Sequence, residues 1–436
     1  MHSRVINRHK SLIIRLLKGC IVLVTLASIR ANTFLPIDNT FIWWVIFIVM
    51  LTTFVFAKKY FIKKDSERYS LFIKIIVLWN LVCIIRGCFV ADNYWEWKNL
   101  FQFSMVLLLP LSVFTFTNEF IVSILIRTWL KFALPAFFIF FFTFKYGDAA
   151  GRYLVPISFL LLFFPILSGK WKVIVGVMSL FVFLGDLSAR SNIIKFLVPF
   201  LLGFIYYYRK SLPTVIIRYC QLMFLILPFV LLILALTGTF NVFKMDEYLG
   251  DVSTSRVING EVKEQNLASD TRTFIYLEAL SSSVINGYVA FGRTPARGYD
   301  SLSFGTYAFE ELHTGHMERA SSEVSILNVY TWTGIVGVAL YFYIFFMASS
   351  LAINKSANIH MKIIGLYVAF RWSYAWVEDF SNFDLSYLFL WLLIGMCFSK
   401  SFRSMSNTEF REWVLDFFKY NYYQGQTKMI NRGKRT

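Results

Sequence analysis

Apolar runs the length of a membrane crossing, separated by short polar connectors, fill the chain from Leu12 to Thr237 and again from Val324 to Phe398. A crossing helix needs roughly 20 apolar residues, fewer where flanking side chains snorkel, and on that rule the chain divides into about twelve spans. They run Leu12–Ile29, Phe41–Ala57, Ser70–Val90, Leu100–Thr117, Phe132–Tyr146 and Tyr153–Ser168. Then come Trp171–Leu187, Ile193–Tyr208, Thr214–Thr237, Val324–Ile353, Met361–Val377 and Leu385–Phe398. Residues 238–322 break the pattern, being polar, charged and dotted with glycine. The expected organisation is an all-α integral membrane protein with helices over 1–237, one large loop over 238–322, further helices over 323–399 and a tail over 400–436. Within the loop, Asp270 is a suitable N-cap for a helix from Thr273 to Ile285. In the tail, Phe410, Trp413, Val414 and Phe417 recur at helical spacing, which predicts a helix lying in the cytoplasmic interface. Gln424 to Thr436 carries no such pattern and reads as disordered.

Composition agrees with a membrane protein: 57% of the 436 residues are hydrophobic and 16% charged, with a mean hydropathy of +0.58. The formal net charge of +17 invites a nucleic-acid reading, but no basic, aromatic-interleaved soluble face exists to carry one. The positive residues instead crowd one set of connectors: Lys58, Lys59, Lys63, Lys64 and Arg68; Lys170 and Lys172; Arg209, Lys210 and Arg218; Lys355 and Lys362; and the tail. That bias predicts cytoplasmic termini and an outward-facing long loop. The first apolar run lacks a small-residue cleavage site and reads as a retained span. All five cysteines fall in apolar segments without metal-ligand spacing, so neither a disulfide framework nor a cysteine metal site is expected.

The candidate chemistry sits in the loop and the outer connectors. Phe291-Gly292-Arg293-Thr294-Pro295-Ala296-Arg297-Gly298-Tyr299-Asp300 sets two arginines in a turn-rich segment. Guanidinium forks grip pairs of phosphate oxygens, so phosphate is the ligand they suit best. The alternative is a scaffold in which Arg293 and Arg297 pair with Asp300, Glu310 or Glu311. Arg190 is a lone outer positive charge, explained either by function or by Asp186. Arg86 and Arg371 lie inside spans, where a charge must be paired or wet; Glu378 and Asp379 are within reach of Arg371. His313, His316, Glu318, Arg319 and Glu323 precede the tenth span without spacing that implies a metal. Tyr94, Trp95 and Trp97 suit a sugar ring or an interfacial belt.

Ser321-Ser322-Glu323-Val324 through Thr331-Trp332-Thr333-Gly334-Ile335-Val336-Gly337 resembles the loop-to-span junction of the O-antigen ligase and O-antigen polymerase superfamily. There, a polar motif precedes a span that begins with a leucine, a threonine and a Gly-x-x-Gly turn. Asp186-Leu187-Ser188-Ala189-Arg190-Ser191 resembles that family's outer-loop arginine motif. The Phe291–Gly298 segment is similar to the version found in polysaccharide polymerases of Bacteroidetes-type bacteria. The resemblance implies a metal-independent, inverting glycosyltransferase with a membrane fold related to the GT-C class. It further implies an undecaprenyl-diphosphate-linked glycan as donor, held by Arg190, Arg293, Arg297 and Arg319, and no cofactor. Where ligases carry a motif histidine this chain has Glu323, so the acceptor's base falls among Glu323, His316 and His313.

The expected function is therefore polymerisation of lipid-linked oligosaccharide repeats for O-antigen or a related surface polysaccharide, at the outer face of a bacterial inner membrane. A lipid-linked acceptor, membrane lipids, a chain-length regulator and a flippase are the expected partners. Two alternatives stay open. One is an O-antigen ligase acting on lipid A–core. The other is a lipid-linked oligosaccharide flippase or transporter, which usually shows related halves not detectable here.

Overall fold

The computed structural model describes residues 2–62, 67–185, 190–244, 253–258, 261–266, 270 and 272–419. It is mostly helical (76%) with almost no sheet. The first helices are α1 (His2–Ile29), α2 (Thr40–Phe61), α3 (Glu67–Cys88), α4 (Tyr94–Leu108), α5 (Val113–Phe116), α6 (Glu119–Thr128) and α7 (Leu134–Phe141). Next come α8 (Asp148–Tyr153), α9 (Val155–Leu161), α10 (Gly169–Gly185), α11 (Arg190–Gly203) and α12 (Thr214–Leu236). The polar loop holds α13 (Thr273–Ile285) and α14 (Leu302–Glu310). The chain continues through α15 (Ser325–Asn354), α16 (Ile359–Tyr374), α17 (Leu385–Phe398), α18 (Lys400–Ser404) and α19 (Asn407–Leu415). Two short antiparallel pairs complete the loop: β1 (Ser253–Ile258) with β2 (Glu261–Asn266), and β3 (Tyr299–Asp300) with β4 (Glu318–Arg319).

Seven helical runs are long and apolar enough to cross a membrane: Arg8–Asn32, Thr40–Phe61, Leu71–Cys88, Tyr94–Phe116, Glu119–Phe141, Thr214–Leu236 and Ser325–Asn354. The protein is membrane-embedded. The remaining expected spans fall on the shorter helices α10, α11, α16 and α17 and on the broken pair α8–α9, where Pro156 stops the α8 hydrogen-bond ladder from continuing. Two runs begin earlier than hydropathy suggests because asparagine caps set their starts. Asn93 accepts from Trp95 and Glu96 N–H, and Asn118 from Phe120 and Ile121 N–H. The first of these draws Tyr94, Trp95 and Glu96 into helix rather than connector.

The helices α15, α16 and α17 form the packed centre. Every residue of α17 is buried, and the Tyr341 and Tyr387 hydroxyls meet at 2.6 Å between α15 and α17. Trp372 Nε1 donates to Leu225 O at 3.2 Å, tying α16 to α12. The tail departs from expectation. Phe410, Trp413, Val414 and Phe417 are buried, Trp413 Nε1 donates to Glu119 O, and the Phe402 and Trp413 rings pack edge to face at 4.9 Å. The apolar side of α19 is thus spent on the bundle, which offers it a dry partner, rather than on lipid. Gln424 to Thr436 lies outside the described residues.

The helix α15 is broken at Gly334, whose φ of 70° and ψ of −173° are not helical. Into this break fits the loop turn around Gly292, itself at φ 71°. Arg293 N–H donates to Thr331 O at 2.7 Å and Trp79 Nε1 to Thr333 O at 3.0 Å. Ile335 N–H donates to Val289 O at 3.0 Å and Val336 N–H to Ala290 O at 3.3 Å. The two backbones touch: a Cβ on Gly334 would stand 2.3 Å from Ala290 O, and one on Gly292 would stand 2.5 Å from Gly334 N.

Gly334→Ala or Gly292→Ala should therefore cost more than about 1 kcal/mol, through both the positive φ and the clash. Gly19→Ala, in open space on α1, should be neutral or stabilising by roughly 0.5–1 kcal/mol. Thermal midpoints in detergent measure the contrast, and equal midpoints for Gly19→Ala and Gly334→Ala would contradict it.

Candidate functional site

The turn seated in the α15 break carries the two loop arginines. Arg86, near the end of α3, holds it from the other side, donating to Phe291 O at 2.7 Å and Gly292 O at 3.1 Å. Those carbonyls satisfy the guanidinium that the sequence left inside a span. Between the arginines, Thr294 is buried with φ at 105°, an outlier for a β-branched residue. Such strain persists only where surroundings over-determine it, and it clusters at functional sites.

Neither arginine is bare. Arg293 Nη1 lies 2.8 Å from Asp300 Oδ1, and its Nη2 lies 2.8 Å from Glu318 Oε1. Arg297 grips the same Glu318 with Nε, at 3.0 Å from Oε2, and with Nη2. Glu318 Oε2 also accepts from Gly298 N–H. Of the pairing alternatives, Asp300 is thus realised, Glu310 and Glu311 are exposed, and Glu318 is the common partner. The Glu318 hydrogen bond raises the Arg297 pKa above its ordinary value, against opposing burial. Burial pushes the Asp300 carboxyl up, but hydrogen bonds from Arg293 and Asn286 outweigh it and hold the group below its usual range.

Behind Arg297 stands Glu96, 4% exposed. Its Oε1 lies 3.4 Å from Arg297 Nε and 3.2 Å from His316 Nε2. His313 is exposed at φ 51° and stands apart from this group. Glu323, the first of the three candidate bases, has a side chain that is 46% exposed and pairs with Arg319 through Oε1 at 2.5 Å. Its Oε2 lies 3.7 Å from Arg272 Nη1. The row continues from Arg272 Nη2 to Glu378 at 3.9 Å, and from Glu378 to Lys195 at 3.7 Å. Arg319 stacks on Phe304 at 4.0 Å, and its buried Nη1 has no hydrogen-bond partner among the described residues.

Strand β4 joins the two groups, since Glu318 and Arg319 are consecutive and point to opposite faces. Arg190 opens α11, but its side chain and all of Asp186 lie outside the described residues. Its neighbour Ser191 accepts a hydrogen bond from Tyr374 at 3.0 Å, which sets that turn at the end of α16. Arg371 uses neither Glu378 nor Asp379 directly; it reaches Ser386 at 3.3 Å and stacks on Phe380 at 4.3 Å.

Comparison with protein-family models, with curated proteins and with solved structures yields no match. The family resemblance therefore rests on the motifs in the chain. Among the described residues no group of three or more His, Cys, Asp or Glu could hold a metal ion.

Sequence reasoning missed Glu318 as the shared partner, along with Arg272, Lys195 and Arg152. Arg152 pairs with Asp148 at 3.0 Å. Beside it, burial raises the Asp384 carboxyl pKa, partly offset by the Tyr387 N–H, Arg152 and Lys195. Glu96 was legible only as an acidic residue between two tryptophans, and nothing in its spacing points to His316.

Glu318→Gln leaves two guanidinium groups without their common anion. It should lower stability by about 1–3 kcal/mol, read as a lower thermal midpoint, and quicken tryptic cleavage after Arg297. Asp300 stabilises the fold fully above the usual aspartate range, and that contribution is lost as pH falls through its lowered value. Asp300→Asn should therefore flatten the acid end of the stability curve.

Proposed function

We propose that this chain polymerises oligosaccharide repeats carried on a lipid diphosphate, acting at the outer face of a bacterial inner membrane. The observation that supports the reading is the meeting of two motif segments. The Gly292 turn lies backbone to backbone against Thr333-Gly334, and beside this junction stand Arg293, Arg297, Arg319 and His316. In this reading the chain makes about twelve crossings of a GT-C-related kind, the shorter helices included, with both termini cytoplasmic.

Such a reaction asks little of covalent chemistry. The acceptor hydroxyl attacks the anomeric carbon, its proton passes to a base, and the bond to the diphosphate breaks with the electron pair leaving on phosphate. Fixed positive charge at the departing oxygens is the main aid. Arg190, Arg293, Arg297 and Arg319 are the groups proposed to supply it, without a metal.

Orientation is checked by fusing a reporter active only outside the cytoplasm. It should work near Gly260 and stay silent near Lys63 and after Arg403; activity at Lys63 would reverse the assignment.

The reaction is checked with purified protein in vesicles containing a lipid-diphosphate-linked repeat. A ladder of longer glycans should form, and excess chelator should leave it unchanged. Arg293→Lys keeps charge but loses the bidentate fork, so polymer should fall at unchanged protein level. Transfer only to lipid A–core would mark a ligase. Movement of the lipid across the bilayer with no elongation would mark a transporter.

A further inference from the structure

Glu96 occupies the first turn of α4, a helix whose other buried positions are mostly apolar. Burying a carboxylate there is costly unless it is paired and hydrogen-bonded. Its Oε2 accepts from Asp92 N–H at 2.8 Å. Its Oε1 faces His316 Nε2 at 3.2 Å and Arg297 Nε at 3.4 Å, without a well-aligned hydrogen bond to any described residue. Arg297 directs its aligned donors to Glu318 instead. The nitrogen nearest the unbonded Glu96 Oε1 is therefore His316 Nε2.

The same turn of α4 also fixes the histidine's backbone. Asn93, which caps α4 through its Oδ1, donates from Nδ2 to Thr314 O at 3.2 Å. The Thr314 hydroxyl lies between Ala308 O, at 2.9 Å, and His316 O, at 3.0 Å, and shares its one proton between them. One helix start thus holds the His316 segment by main chain and side chain together. The histidine side chain is 43% exposed, and no described residue bonds to its Nδ1. One ring edge faces the protein and the other is open.

We infer that Glu96 is a positioning residue that keeps the proton on His316 Nε2, leaving Nδ1 as the base for the incoming acceptor hydroxyl. This rests on the glycosyl-transfer reading proposed above. In the step, the Nδ1 lone pair takes the hydroxyl proton as the new oxygen–carbon bond forms. The anomeric carbon–phosphate oxygen bond breaks, and its electron pair leaves with the diphosphate. The imidazolium so formed has Glu96 against its other nitrogen, the arrangement by which a buried carboxylate orients a histidine and stabilises its charged form. The other charged groups around it are Asp92 before α4, Arg297 on the turn, Glu318 on β4, and Arg293 with Asp300 beyond them. Glu323 is differently placed, since both its oxygens already face guanidinium groups.

The test uses the full-length protein in vesicles with the lipid-linked repeat, measuring initial rate against substrate and pH. His316→Gln should lower kcat by about 10²–10⁴-fold with KM little changed. The pH–rate profiles of wild type and His316→Gln should differ in shape, the variant's residual rate lacking a limb that the wild type shows. Glu96→Gln should lower kcat rather than KM at an unchanged folded fraction, and Glu96→Asp should recover part of the loss. No transfer by wild-type protein would overturn the glycosyl-transfer reading and this inference together. Transfer by wild type with His316→Gln equally active would overturn this inference alone. So would a Glu96→Gln loss that merely tracks loss of folded protein, since that is what a structural role alone produces.

Discussion

Backbone polar groups at membrane depth have no water to turn to, and that constraint organises this molecule. Breaking α15 at Gly334 frees Thr331 O, Thr333 O, Ile335 N–H and Val336 N–H from the regular ladder, and each finds a partner outside its own helix. Leaving the four unsatisfied would cost on the order of 4–12 kcal/mol at about 1–3 kcal/mol each, comparable with the whole stability of a typical domain. The turn from Val289 to Arg293 is therefore part of the bundle rather than an appendage to it. Arg86 belongs to the same bargain, because its charge is satisfied by the turn's own carbonyls.

Seating the turn fixes the charges that follow it. With Arg293 N–H bonded to Thr331 O, the arginine side chain emerges at the head of α15, and the strained Thr294 directs the chain on to Arg297. Both guanidinium groups converge on Glu318, delivered by β4, whose pairing with β3 sets Asp300 opposite Glu318. The loop end is thus built as a carboxylate-centred cage, with α3, α4, α15 and the loop each contributing one wall.

Much of this was legible in the chain. Hydropathy gave the membrane class, Asp270 marked the start of α13, and the Gly292 and Thr333-Gly334 segments stood out before their contact was visible. The contact itself was not legible, because a backbone-to-backbone fit between glycines about forty residues apart leaves no periodicity to read. Glu96 and Glu318 escaped for a related reason. Ion pairing is decided by tertiary placement, and their partners lie on other elements. The hairpin β1–β2 carried no alternation strong enough to set against a polar loop, and the tail helix was read for lipid because amphipathicity does not say which apolar surface will cover it.

Ion pairing separates the two groups that β4 joins. Around the turn, Arg293 and Arg297 face the carboxylates of Glu96, Asp300 and Glu318. In the second row, Lys195 and Arg272 meet Glu378, and Arg272 and Arg319 meet Glu323. His316 lies in the first and Arg319, whose buried Nη1 is without a hydrogen-bond partner among the described residues, in the second. On the proposed reaction, the base His316 and the diphosphate-holding Arg319 thus belong to the two groups that meet at one two-residue strand. A single short element thereby holds both in register, while Asp300 and Glu318 fix where Arg293 and Arg297 present their guanidinium groups.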